Sequence, residues 1–264
     1  MDPMALMDFF GFTIGEVERM LLVMTRLSGL FLAAPFFSRT AGPARIKALL
    51  IIVLTLILYP LVAPWPHEGE GSPARMFYAA VSELLIGAVL GVLVHWVLFA
   101  AQVAGSVMGF QMGLSMAMVM DPTSGLQEGV LSNLLYLAGL MLFLTMDGHH
   151  LLLEGLARSF HALPLGKGLP STHAMLDAAV LALLGMFKLA LLIAAPIIAF
   201  TSMLYLGMGL INKASPQIQV FFLSMPIAQV IGLLALGLYL AVVGEVMMQE
   251  ITRFIAAAFK LMGL

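Results

Sequence analysis

The chain has 264 residues, of which 62% are hydrophobic and 10% charged, with a formal net charge of −2 and a mean hydropathy of +1.07. A soluble domain carries roughly 25% charged residues to keep its surface solvated, so this composition excludes a soluble monomer, which could not expose apolar surface on such a scale. Scattered basic residues exclude a nucleic-acid footprint, and the absence of cysteine removes the disulfide, zinc-finger, thiol-nucleophile and iron–sulfur readings together.

The N-terminus opens on Met1, Asp2 and Asp8, with no basic residue before Arg19. A secretory signal has a positive n-region ahead of its apolar core, so the first hydrophobic helix is expected to stay in the mature protein. Six apolar segments follow. The first covers 20–37 and ends before the Ser38–Lys47 loop; the second, 48–63, stops at Tyr59-Pro60 and a Pro64-Trp65-Pro66 turn. A polar stretch with His67, Glu68, Glu70 and Arg75 comes next. From Glu83 to Asp121 there is no Asp, Glu, Lys or Arg, a run of 37 residues. Roughly 20 residues span a bilayer, so this run is expected to bend, break or leave the lipid.

The fourth segment is 129–146, and the connection 147–174 is the most polar in the chain. The fifth, 178–210, carries Lys188 and Pro196. Residues 214–244 lack formal charge and are interrupted by Pro216 and Pro226. The tail, 245–264, reads as an amphipathic helix in which Glu245, Gln249, Arg253 and Lys260 are separated by apolar residues. Barrel strands alternate with period two, and these runs do not. The expected fold is all-α: a multi-helix integral membrane-type protein of about six long, partly broken hydrophobic helices. Alternating spans would put Arg39, Arg45, Lys47 and Lys213 on one side against Arg19, Arg75, Arg158, Lys167, Arg253 and Lys260 on the other. That bias does not decide orientation.

Segment 105–122 superposes two stripes. Gly105, Gly109 and Gly113 recur every four residues, as do Met108, Met112, Met116 and Met120, with Met118 between them. Small residues let another backbone approach, and Met repacks against surfaces of differing shape. A bundle helix is the plainer reading of that spacing. Five Met in thirteen residues, ending at Asp121-Pro122, support a sharper one: a deformable apolar constriction that gates a channel.

Arg26, Glu83, His95 and Lys188 lie within apolar runs. Charges at membrane depth face a partner or a watery path, so Arg26, Glu83 and Lys188 are assigned to interhelical or inter-subunit pairing. A secondary transporter or small-ion channel using these charges is the rival reading. Asp147-Gly148-His149-His150, with Glu154 and His161, reads as a polar interhelical loop rather than a ligand set, because no His-Glu-x-x-His motif accompanies it. No metal, cofactor or catalytic constellation is expected, and an intramembrane enzyme using His149, His150 or Glu154 has the weakest support.

The blocks Ala34-Pro35-Phe36-Phe37-Ser38 with Pro43 and Lys47, GFQMGLSMAMVMDP (109–122), FLTMDGHH (143–150), FHALPLG (160–166) and NKASPQIQVFFLSMP (212–226) occur in the same order in the FliR/SctT family of export-gate proteins. The chain resembles that family over nearly its whole length, and its flagellar branch in particular. The resemblance implies a single export-gate domain over 1–264, similar to a fused FliP and FliQ. It implies assembly with several copies of FliP and FliQ, an FlhB-like switch protein as neighbour, and unfolded flagellar proteins as substrates. It implies a bacterial inner-membrane basal-body location, with much of the chain raised to the periplasmic side. It further implies a loop that plugs the closed pore, which here covers Gly109, Phe110, Gln111, Met112, Gly113, Leu114, Ser115, Met116, Met118, Met120, Asp121 and Pro122.

Overall fold

The computed structural model describes residues 13–34, 43–62, 72–115, 129–168, 172–217 and 219–261. Among these residues the chain is all-α, with no strand. Seven α-helices follow in order: α1 (Ile14–Ala33), α2 (Ala44–Leu58, extended by a 3₁₀ turn Tyr59–Leu61), α3 (Pro73–Gln111), α4 (Val130–Thr145), α5 (Gly148–Ala162), α6 (Thr172–Ala214) and α7 (Val220–Leu261).

Helix α1 starts where local chemistry sets it. The Glu16 amide donates to Thr13 Oγ1 at 3.3 Å, and the Thr13 amide donates to Glu16 Oε2 at 2.8 Å, a reciprocal capping box. Those hydrogen bonds, the Thr13 amide first, hold the Glu16 carboxyl below its ordinary pKa. Helix α2 needs no such help: it is apolar and largely unburied, with only Thr55 and Leu58 inside the fold. Among the described residues, four helical stretches are long and apolar enough to cross a membrane: Ala44–Leu61, Pro73–Gln111, Ala179–Ala214 and Phe222–Glu250. The adjacent pair α4 and α5 adds a fifth if it is taken as one broken span.

The six segments read from sequence become seven helices because the polar connection 147–174 contains α5, which corrects its reading as a loop. Leu152, Gly155, Leu156, Ser159 and Phe160 are buried at helical spacing, while Glu154, Arg158 and His161 are exposed. That is an amphipathic helix whose charged residues disguised its buried stripe. The expected break of the 37-residue run falls at its far end: α3 continues for 39 residues and stops at Gln111. Pro196 and Pro226 lie inside α6 and α7 without ending them. Residues 245–261 continue α7 directly.

The chain gathers into two compact units. Unit 1 holds the described residues up to His95, Asp147–Ala182 and the stretch from Phe254; unit 2 holds Trp96–Met146 and Leu183–Arg253. Helices α3, α6 and α7 each contribute to both. In unit 1, α1 and α3 meet backbone to backbone. A β-carbon on Gly29 would lie 2.1 Å from the Leu84 carbonyl oxygen, and one on Gly87 would lie 1.9 Å from the Arg26 carbonyl oxygen. Only glycine fits at this crossing. Gly87→Ala is therefore expected to force the helices apart and destabilise the chain by about 1–3 kcal/mol or more. Thermal unfolding of the detergent-solubilised protein checks this, with Gly237→Ala, where a β-carbon meets nothing within 4 Å, as the neutral comparison.

Candidate functional site

The Met-rich block begins as the last turn of α3 and then leaves the helix. Gly113 adopts φ +75, the left-handed conformation that glycine accepts without penalty. The Leu114 amide donates to the Gly109 carbonyl at 2.9 Å, and the Gly113 amide to the Phe110 carbonyl at 3.0 Å. This pair of bonds around a left-handed glycine is a Schellman helix end. The glycine stripe thus divides into separate roles. A β-carbon at Gly105 would collide with the α4 backbone, 2.5 Å from Ser132 Cα, whereas at Gly109 its nearest neighbour would be Ser115 Oγ at 3.6 Å. Gly113 stops the helix.

The side chains around this end divide as sharply. Met108 and Met112 are fully buried, while Phe110 is 74% exposed. Met112 fills the space that a side chain on Gly232 of α7 would occupy, with its Cγ 2.5 Å from that glycine's notional β-carbon. Tyr205 Oη of α6 donates to the Gln111 carbonyl at 2.9 Å, and Gln111 Nε2 donates to Ser202 Oγ at 3.4 Å. A β-carbon on Gly113 would lie 3.8 Å from Met225 Cγ. Two of the sequence blocks, 109–122 and 212–226, therefore meet within unit 2. Beside them is a cleft of about 430 Å³, lined among others by Tyr205, Met208, Asn212, Gln219 and Ser224. Leu114 and Ser115 are half-buried. Met116, Met118, Met120, Asp121 and Pro122 lie outside the described residues.

The intramembrane charges behave differently from one another. Arg26 and Glu83 are both completely buried and are paired through Arg26 Nε and Glu83 Oε2. Arg26 Nη1 donates to Ser159 Oγ at 3.1 Å and Nη2 to the Leu163 carbonyl at 2.9 Å. Its guanidinium carbon stands 4.3 Å over the centre of the Phe160 ring. Glu83 Oε1 accepts from the Gly166 amide at 3.1 Å. Unit 1 therefore joins α1, α3, α5 and the 163–166 turn through one hydrogen-bonded ion pair, the form in which buried charge is tolerated. Lys188, on α6, is exposed and forms no ion pair among the described residues. His95 is half-buried on α3.

Sequence reasoning alone did not identify Tyr205, Ser202 or Gly232 as supports of the helix end, nor Ser159, Phe160, Leu163 and Gly166 as the surroundings of the ion pair. The last four had a signal in hand: three of them fall inside the FHALPLG block. Part of their contribution, however, is a backbone carbonyl and a backbone amide, which no side-chain pattern advertises.

Comparison with known proteins places the chain in a family. The model of the family described as bacterial export proteins, family 1, matches residues 17–254. The chain is 32% identical to the flagellar biosynthetic protein FliR of Escherichia coli (strain K12), over 80% of this chain and 79% of that protein. It is 32% identical to FliR of Pectobacterium carotovorum subsp. carotovorum over 87% of each chain. It is also 29% identical to FliR of Bacillus subtilis (strain 168), over 84% of this chain and 86% of that one. With the match running from α1 into the last part of α7, the chain belongs to the FliR family of bacterial export proteins.

Proposed function

We propose that this component of flagellar protein export is a non-enzymatic core subunit of the export gate, and that segment 109–122 closes its protein-conducting pore. The observation that carries the reading is the split at the end of α3. Met108 and Met112 are locked into unit 2 and Gly113 ends the helix, so exposed Phe110 stands on an anchored helix end. A gate needs an apolar barrier on such an anchored base.

Helix length supports the presence of partner subunits. The apolar stretch Ala179–Ala214 has 36 residues, about 54 Å of helix at 1.5 Å per residue. The hydrocarbon core is about 30 Å thick, and tilting to 40° accommodates only about 39 Å. Phe200, Met203, Leu206 and Leu210 are exposed along this helix, so apolar surface remains that lipid cannot cover. It fits the faces of neighbouring subunits, which we take to be FliP and FliQ, with an FlhB-like protein at the assembly and one copy of this chain per gate. Part of the chain then sits on the periplasmic side of the bacterial inner membrane, and unfolded flagellar proteins pass along the axis. We take the chain as a whole to resemble a fused FliP and FliQ. Three helices shared by both compact units favour one export-gate domain over two independent ones.

The small-ion-channel reading loses its main charges, since Arg26 and Glu83 satisfy each other and the groups around them. The test uses the absence of cysteine. Phe110→Cys and Leu238→Cys each introduce a unique thiol; Leu238 is 87% exposed on α7. In complexes co-purified with FliP and FliQ, a stalled export substrate is expected to cross-link to position 110 and not to position 238. Failure of the chain to co-purify with FliP and FliQ, or cross-linking at 238 alone, overturns the reading.

A further inference from the structure

The α4–α5 junction brings together three metal-ligating side chains that play no part in the gate. One carboxylate oxygen of Asp147 and one ring nitrogen each from His149 and His150 lie within 4.8 Å of one another. Asp147 Oδ1 is 3.3 Å from His150 Nδ1, and the two imidazole centres are 4.2 Å apart. Asp is among the best side-chain caps of a helix start, yet Asp147, the N-cap of α5, makes no capping hydrogen bond. Its carboxylate turns toward the imidazoles instead. Asp147 is also the one non-glycine residue with positive φ among the described residues, at 55. Finally, His149 Nδ1 is buried and has no hydrogen-bond partner, although buried polar atoms are rarely left unmatched.

We propose that this turn binds a divalent transition-metal ion of the zinc, copper or nickel class, with Asp147, His149 and His150 as its protein ligands. Imidazole suits these ions, whereas calcium and magnesium take oxygen sets. The side chains of His150 and Asp147 are 68% and 72% exposed, so an ion enters without opening the fold. Three protein ligands leave a coordination position for water or for a donor from outside. A bound ion clamps the first turn of α5 to the residue that separates it from α4. This assignment does not depend on the gate reading.

The test titrates the tag-free, full-length chain in detergent, after treatment with chelator, with Co²⁺ followed by visible absorption and with Zn²⁺ by calorimetry. One ion per chain is expected. His150→Gln and Asp147→Asn should each weaken binding about ten-fold or more, while His161→Gln, an exposed histidine on the far end of α5, leaves it unchanged. Asn tolerates the left-handed backbone, so Asp147→Asn keeps the turn, and circular dichroism checks that each variant retains its helix content. Wild-type affinity in both His150→Gln and Asp147→Asn, or an equal loss in His161→Gln, overturns the site. So does wild-type affinity in Asp147→Asn alone, since it removes the carboxylate charge from the ligand set.

Discussion

Replacing Phe110 with alanine is expected to raise small-solute leakage through assembled gate complexes several-fold, with no loss of assembly. Phe110 is 74% exposed, and substitutions at such positions usually change stability by no more than about 0.5 kcal/mol. Any change in permeability then reports the barrier and not the fold. Liposomes carrying the purified complex and loaded with a small fluorophore give the readout. Unchanged leakage in fully assembled Phe110→Ala complexes removes this residue from the seal. The neighbouring position separates the two roles of the block. Met112→Ala empties a fully buried site against Gly232, and large-to-small core substitutions of this kind cost about 2–5 kcal/mol. It is expected to lower thermal stability and yield before it affects leakage. A deletion through 110–116 would mix both effects, because it removes the core residue together with the exposed one.

Removing one member of the buried ion pair is expected to be among the most damaging single changes in the chain. Glu83→Ala leaves the Arg26 guanidinium without a counter-charge in a completely buried position, a change that costs roughly 3–5 kcal/mol. Against a total stability of about 5–15 kcal/mol, that loss removes a large fraction of the folding margin. Arg26→Ala should be comparably severe, since it strands Glu83 and also withdraws the donors to Ser159 and the Leu163 carbonyl. The double substitution Arg26→Met/Glu83→Leu should recover much of the loss, because apolar residues of similar volume often replace a buried pair at little cost. Yield and thermal unfolding of wild type, Arg26→Met, Glu83→Leu and the double variant form a double-mutant cycle. If the double variant is as unstable as the sum of the single ones, the pair is not an isolated unit of stability. If the single variants behave like wild type, the pair makes no contribution.

Much of the fold was legible because its signals are local. An apolar run without charge has only lipid or protein to face, and a helix is the simplest way to satisfy its backbone in either. The positions of α2, α4, α6 and α7 followed from that. The reading failed at α5, where exposed Glu154, Arg158 and His161 masked the buried stripe Leu152-Leu156-Ser159-Phe160. It also treated Gly105, Gly109 and Gly113 as one face. Spacing cannot reveal that Gly113 lies past the end of the helix, since the hydrogen bonds that end it appear only in the folded backbone.

Residue order alone therefore determined the solvent of this protein, its helical class, its family and the segment that stands out from the rest. Each of these depends on composition, or on residues a few positions apart. The tertiary structure decided which charges are structural and which methionines are core. Arg26 meets Glu83 across 57 positions and Ser159 across 133, and Met112 meets Gly232 on a helix far along the chain. Separations of that size are closed by the packing of whole helices and leave no trace in local period. The Met-rich segment thus resolves into buried Met108 and Met112 as its foundation and Phe110 as its exposed face, because burial is a property of the neighbours and not of the residue.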